Sequence, residues 1–236
     1  MNLTATSAAR EESVRVPCQG IWLDGDLAMP QGAQGIVVFA HGSGSSRHSP
    51  RNRFVAQSLQ ERGLATLLMD LLTREEEDED SITREWRFDI ELLAQRLVGA
   101  TDWVGQQAHL PNLPVGYFGA STGAAAALVA AANRPDTVRA IVSRGGRPDL
   151  AADSLPLVYS PTLLIVGGHD FGVIALNQQA LEQIASEESR LEIVPDATHL
   201  FEEPGALEQV ATLAADWFGR WLDHAGSRRA VAEERP

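Results

Sequence analysis

The chain has 236 residues, 44% of them hydrophobic and 22% charged, enough for one domain whose core needs neither disulfides nor a structural metal. With 19 basic and 32 acidic side chains the formal net charge is −13, which argues against nucleic acid or an anionic membrane surface as the main partner, since both select basic patches. Cys18 is the one cysteine, so an internal disulfide and a multi-cysteine zinc site are excluded. The opening MNLTATSAAR lacks the basic-then-apolar order of a secretory signal, and no apolar stretch approaches the roughly 20 residues that span a bilayer. The expectation is a cytoplasmic protein with a single domain over residues 1–224 and a flexible tail at 225–236.

Residues 12–18 and 21–29 alternate in polarity and read as two strands joined by a tight turn at Gln19-Gly20. The run 35–40 (GIVVFA) is apolar throughout, as in a strand covered on both faces. A helix follows over 51–62, with Phe54, Val55 and Leu59 on one stripe and Gly63 as its stop. Strand 64–70, helix 84–104, strand 114–118, alanine-rich helix 121–133 and strand 138–142 continue the alternation. Strand 161–167, helix 174–184, strand 191–194 and helix 206–221 complete it. This order predicts an α/β fold: a mostly parallel sheet with an antiparallel N-terminal strand pair and helices on both faces. Ligands of such sheets bind beyond the carboxyl ends of the strands. The gap 143–160 has room for one loop and about a turn of helix, so no large cap is expected and the site should be open. The acids of 75–80 (EEEDED) would repel one another on a helix surface and are expected in a solvated loop or at a helix entry.

The chemistry concentrates at strand ends. Gly119-Ala120-Ser121-Thr122-Gly123 is a G-x-S-x-G between a strand and a helix, where a sharp elbow pushes the serine Oγ out at the top of the sheet. A serine hydroxyl is a poor nucleophile until a base takes its proton, and His199, after strand 191–194, is placed to be that base. Asp170, after strand 161–167, is placed to orient the imidazole, which gives the chain order serine, acid, histidine. Asp196, Asp149 and Asp153 are the rival acids. His169 is expected at the rim or in a structural role, and His48, His109 and His224 in solvent. The backbone N–H of Thr122 should provide one oxyanion donor and that of Ser43 the second, with Gly44 as the alternative. These two lie in His41-Gly42-Ser43-Gly44, which lacks the lysine of a phosphate-binding loop; His41 is expected to brace it. Arg144 and Arg147, in the loop after strand 138–142, suit a carboxylate on the substrate, or are simply surface arginines.

HGSG at 41–44, GASTG at 119–123, GGHD at 167–170 and DATH at 196–199 together resemble the α/β-hydrolase fold, and within it the small dienelactone-hydrolase-like family. The resemblance covers nearly the whole chain. The stretch 143–149 (SRGGRPD) also resembles the branch in which such a hydrolase occurs beside, or fused to, a phosphoribosyltransferase. Dienelactone hydrolases carry cysteine at the nucleophile position; here Ser121 stands there, and Cys18, in the first strand, cannot replace it. Serine points to ordinary carboxylic esters. The expectation is therefore a serine hydrolase of small esters acting through Ser121, His199 and Asp170, with no cofactor and no metal. The alternatives are a lactone, thioester or peptide hydrolase with the same residues, or a non-catalytic homologue that binds a partner protein. The sequence leaves the oligomeric state open.

Overall fold

The first two strands, β1 (Arg10–Cys18) and β2 (Ile21–Met29), form the antiparallel hairpin that the alternation predicts, in a computed structural model that describes residues 9–107, 110 and 113–222. Expectations for His109, His224 and the tail fall outside those residues. Charged side chains along β1 (Arg10, Glu11, Glu12, Arg15) keep this sheet edge from recruiting another strand. β3 (Ile36–Ala40), β4 (Ala65–Met69), β5 (Val115–Ala120) and β7 (Thr162–Gly167) are buried at every position, as their apolar sequences demand of strands covered on both faces. β6 (Val138–Arg144) and β8 (Arg190–Val194) complete an eight-stranded sheet in the order β1-β2-β4-β3-β5-β6-β7-β8. β2 runs antiparallel to β4, and every pair from β4 to β8 is parallel. This is the α/β-hydrolase architecture.

The helices bury two separate apolar clusters. α1 (Pro50–Glu61) and α6 (Ala206–Leu222) cover one face of the sheet, through Val55, Leu59, Val210 and Phe218. α3 (Ile90–Gln106), α4 (Thr122–Ala132) and α5 (Phe171–Leu181) cover the other, through Leu93, Leu97, the alanines of α4 and Ala180. The chain leaves β3 through α1 to β4, then crosses back to β5 on the opposite side of β3. The connection thus reverses direction between β3 and β5, and loops leaving a sheet on opposite faces open a crevice at that point.

The helical segments refine the sequence reading in several places. Of the two places expected for the acidic stretch, it takes the helix entry and not the loop: Glu75, Glu76 and Glu77 form the first turn of α2 (Arg74–Thr83), and the remaining acids run on through that helix. Repulsion is offset there because Thr73 and Glu76 form a reciprocal capping box, the acids sit at the positive end of the helix, and Glu76 and Asp80 pair with Arg96 and Arg87. The expected helix 84–104 splits, because Arg84 takes a left-handed conformation (φ 61°) and Asp89 caps a new start at Ile90. α5 begins at Phe171, directly after Asp170 and before the expected start at Ile174. The loop 143–160 carries a longer 3₁₀ segment than foreseen, Pro148–Leu157, but no helical cap.

Candidate active site

Ser121 stands between β5 and α4 with φ 51° and ψ −120°, a conformation L-residues avoid at a cost of about 1–3 kcal/mol. The elbow is held by close packing on both sides. A Cβ on Gly119 would lie 2.4 Å from Ala124 Cα, and one on Gly123 would lie 2.3 Å from the Ala40 carbonyl oxygen. Only glycine fits either place, so the two glycines of the motif are there for room; neither takes a positive φ.

The loops after β7 and β8 are zipped together. Gly168 N–H donates to the Val194 carbonyl at 2.8 Å and His169 N–H to that of Ala197 at 2.9 Å. Across this zipper His199 Nδ1 and Asp170 Oδ2 are 2.6 Å apart, a charge-assisted hydrogen bond. Asp170 occupies the N-cap position of α5 and Ser121 that of α4, yet neither side chain caps its helix. Ser49, Thr73 and Asp89 do cap theirs. A forgone cap costs about 1 kcal/mol; at these two positions the oxygen is directed elsewhere. Ser121 Oγ makes no hydrogen bond among the described residues, and resting hydroxyls of such sites often close on the base only when substrate is present. Ser121 and His199 flank the same short segment: Ser121 N–H donates to the Arg144 carbonyl at 3.2 Å, and a Cβ on Gly145 would lie 3.4 Å from His199 Nδ1.

The rival acids are otherwise engaged or remote. Asp149 holds Arg147 in a two-bond fork at 2.7 and 2.8 Å. Asp196 is exposed and lies 3.8 Å from the exposed His169, and Asp153 is exposed. His48 is exposed, as expected. Cys18 is buried at the end of β1, its thiol donating to the Arg96 carbonyl, and burial pushes its pKa up to about 11.

Thr122 is the first residue of α4, so its N–H is among the amides a helix start leaves without an intrahelical acceptor. Ser43 differs from the expectation. Its N–H donates to Thr122 Oγ1 at 3.0 Å, and its hydroxyl lies 3.0 Å from the same oxygen, so this donor is occupied in the resting site. Gly44, at φ 67°, follows. His41 does brace the loop: Nε2 accepts from Leu71 N–H at 3.0 Å and Nδ1 lies 3.0 Å from the Gly42 carbonyl. One nitrogen must accept while the other donates, which requires the neutral ring. Burial lowers its pKa from 6.5, outweighing the bond to Gly42 and the charge of Asp70.

Beside this loop opens a cleft of about 260 Å³, lined by Ser43, Gly44 and Thr122 on one side and by Glu77, Asp78 and Asp80 of α2 on the other. Burial, then the charges of Asp70 and Asp78, raise the pKa of Glu77. A larger groove of about 880 Å³ lies between β2 and α1 and holds none of these residues. Of the two arginines expected to meet substrate, Arg147 is engaged by Asp149, whereas Arg144 is the last residue of β6 and buried. Two positioning residues were missed by sequence reasoning. Asn177 of α5 donates to the carbonyl of Gly146 at 3.0 Å, steadying the segment between Ser121 and His199. Glu203 accepts from Thr198 N–H and Oγ1 at 3.1 and 2.6 Å, shaping the histidine loop. An isolated Asn on a helix and a Glu five residues after a Thr carry no pattern that sequence could flag. Among the described residues no group of acids, histidines and cysteines is arranged to hold a metal, and no helix is long and apolar enough to cross a membrane.

The profile of the dienelactone hydrolase family matches residues 23–224. A dienelactone hydrolase of known structure from Anabaena variabilis is 62% identical, covers 92% of this chain and all of its own, and superposes with a TM-score of 0.90. The esterase Pf2001 of Pyrococcus furiosus shares the fold at 16% identity, with 91% of this chain and 94% of that one covered and a TM-score of 0.72. Two Mycobacterium tuberculosis proteins that carry a provisional phosphoribosyl transferase name are each 57% identical over 95% of this chain. The chain spans about half (49%) of their length.

Proposed function

The chain belongs to the dienelactone hydrolase family, and on that premise we propose that it is a serine hydrolase cleaving small carboxylic esters. The observation that carries this reading is the 2.6 Å Asp170–His199 bond beside the Ser121 elbow. Ser121 Oγ attacks the acyl carbon while His199 Nε2 takes its proton, and Asp170 holds the imidazolium through Nδ1–H. The tetrahedral oxyanion is met by Thr122 N–H and by the loop after β3. Ser43 N–H serves as the second donor once Thr122 Oγ1 turns away from it; Gly44 N–H is the alternative. Collapse of the intermediate expels the alcohol, which takes the proton back from His199, and water repeats the sequence to release the acid. The acidic wall of α2 suits a neutral or cationic group on the arm that enters the cleft. The transferase name belongs to proteins about twice this length, and a hydroxyl, an imidazole and a carboxylate served by backbone donors suit acyl transfer rather than displacement at a sugar carbon. A fluorophosphonate probe should label the wild-type protein and not Ser121→Ala, and that variant should lose at least about 10³-fold in turnover of p-nitrophenyl acetate while keeping its fold. An unlabelled wild-type protein, or an active variant, overturns the reading.

A further inference from the structure

Ser43 N–H, one of the two donors expected to meet the oxyanion, is engaged at rest: it donates to Thr122 Oγ1 at 3.0 Å, and Ser43 Oγ lies 3.0 Å from the same oxygen. One buried hydroxyl, 79 residues away along the chain, thus holds both the backbone donor and the side chain of residue 43. Ser43 is exposed and lines the cleft, so water reaches this residue and the fold does not need the threonine to spare it an orphaned donor.

The backbone on either side of this contact is pinned. A Cβ on Gly42 would lie 3.1 Å from both the Ala120 carbonyl oxygen and Ser121 Cβ, so the loop rests directly on the elbow. The Gly42 carbonyl is the partner of Ser45 N–H at 3.1 Å and of His41 Nδ1 at 3.0 Å, and His41 is itself tied to Leu71. From the other side Gly123 presses on the carbonyls of Ala40 and His41, where a Cβ would meet oxygen at 2.3 and 2.5 Å. Neither the loop nor the start of α4 has room to shift. What can move is the Thr122 side chain, by rotation about its Cα–Cβ bond.

Competition for the Ser43 amide is decided by charge. A hydroxyl oxygen and an ester carbonyl oxygen are both neutral acceptors, whereas a hydrogen bond to an oxyanion is roughly twice as strong. An entering carbonyl therefore has little advantage over Thr122 Oγ1, and the tetrahedral oxyanion has a clear one. We propose that the Thr122 hydroxyl is a latch on the oxyanion hole, a positioning residue that withholds Ser43 N–H from the ester in the ground state and yields it as negative charge develops. The latch weakens substrate binding but leaves intact a contact that is made in the transition state, so its cost falls on KM and not on kcat. This inference rests on the hydrolase reading and deepens it. It gives the side chain after the nucleophile a task separate from that of its own backbone N–H.

Thr122→Val keeps the shape of the side chain and removes the hydroxyl; Thr122→Ser keeps the hydroxyl. Solvent exchange of the Ser43 amide, followed by NMR on isotope-labelled protein without substrate, should quicken about threefold to tenfold in Thr122→Val, the factor that one net hydrogen bond represents. In Thr122→Ser it should return toward the wild-type rate. With p-nitrophenyl acetate, KM should fall by about the same factor in Thr122→Val while kcat stays within about twofold of wild type, and Thr122→Ser should restore the wild-type KM. A contact that merely shaped the loop would instead give Thr122→Val a lower kcat/KM, and that result overturns the latch. So does an amide rate or a KM indifferent to Thr122→Val in a protein that turns ester over, an outcome that leaves the hydrolase standing. Absence of turnover in the wild type sinks the hydrolase reading, and the latch with it, whatever the amide does. Should Thr122→Val fail to fold, Thr122→Ala removes the same hydroxyl and carries the same comparison.

Discussion

Asp170→Asn isolates what the carboxylate contributes, because it changes one atom and a charge. Asp170 Oδ2 accepts from His199 Nδ1–H at 2.6 Å, which leaves Nε2 without a proton and, on the proposed reading, free to take one from Ser121. An asparagine offers an NH₂ at the same place as readily as an oxygen; the ring can then flip to the tautomer with its proton on Nε2, where it cannot accept from Ser121. The charge that steadies the imidazolium also goes. In a well-shielded triad this change costs about 10⁴ in kcat. Here 39% of the His199 side chain is exposed against 17% for Asp170, so water screens part of the effect, and the loss should fall at about 10³–10⁴, equivalent to about 4–5.5 kcal/mol of barrier. The assay is kcat/KM on p-nitrophenyl acetate, paired with a thermal melt. The melt should move little, because Asp170 does not cap α5 and asparagine is as good an N-cap residue. Asp196→Asn should leave the rate near wild type, since that carboxylate faces His169. If Asp170→Asn stays within about tenfold of wild type, the carboxylate does not orient the base and the reasoning fails.

Two further predictions concern the frame of the cleft. Arg96 of α3 is buried and donates to the Leu71 carbonyl and to both oxygens of Glu76, tying the acidic helix to the end of β4. Burial pushes Glu76 up, but hydrogen bonds from Arg96 and Thr73 and the charge of Arg96 outweigh it and hold its pKa below 4.5. Arg96→Met should cost about 3–5 kcal/mol in urea unfolding, because it strands a half-buried carboxylate and a carbonyl together; a loss under about 1 kcal/mol would show the tie to be idle. His41 sets an acid limit. Its folded pKa lies below the unfolded 6.5, so the unfolded state binds the extra proton first: its stability contribution is complete above pH 6.5 and drains away as pH falls toward the folded value, by up to about 1.4 kcal/mol per unit. The difference in unfolding free energy between wild type and His41→Gln should therefore shrink between pH 7.5 and 5.5, and parallel curves would exclude the neutral-ring brace.

The order of strands and helices, and the three groups at their ends, were legible along the chain. Unbroken apolar runs such as 36–40 and 115–120 can only be interior strands, and glycines flanking Ser121 at two residues' distance mark an elbow whatever lies around it. Local chemistry also placed Asp170 and His199 at the ends of their strands. What the chain could not disclose is anything settled by partners distant in sequence. Glu76, among the acids at 75–80, looks unpaired until Arg96, 20 residues beyond it, comes to meet it. Ser43 N–H looks free until Thr122, 79 residues on, brings up a hydroxyl. Arg144 and Arg147 read alike in one loop, and only folding commits one to Asp149 and leaves the other buried, its Nη1 without a partner among the described residues. Backbone shape follows from neighbours along the chain; the availability of a donor or a charge depends on what the fold brings within about 3 Å of it.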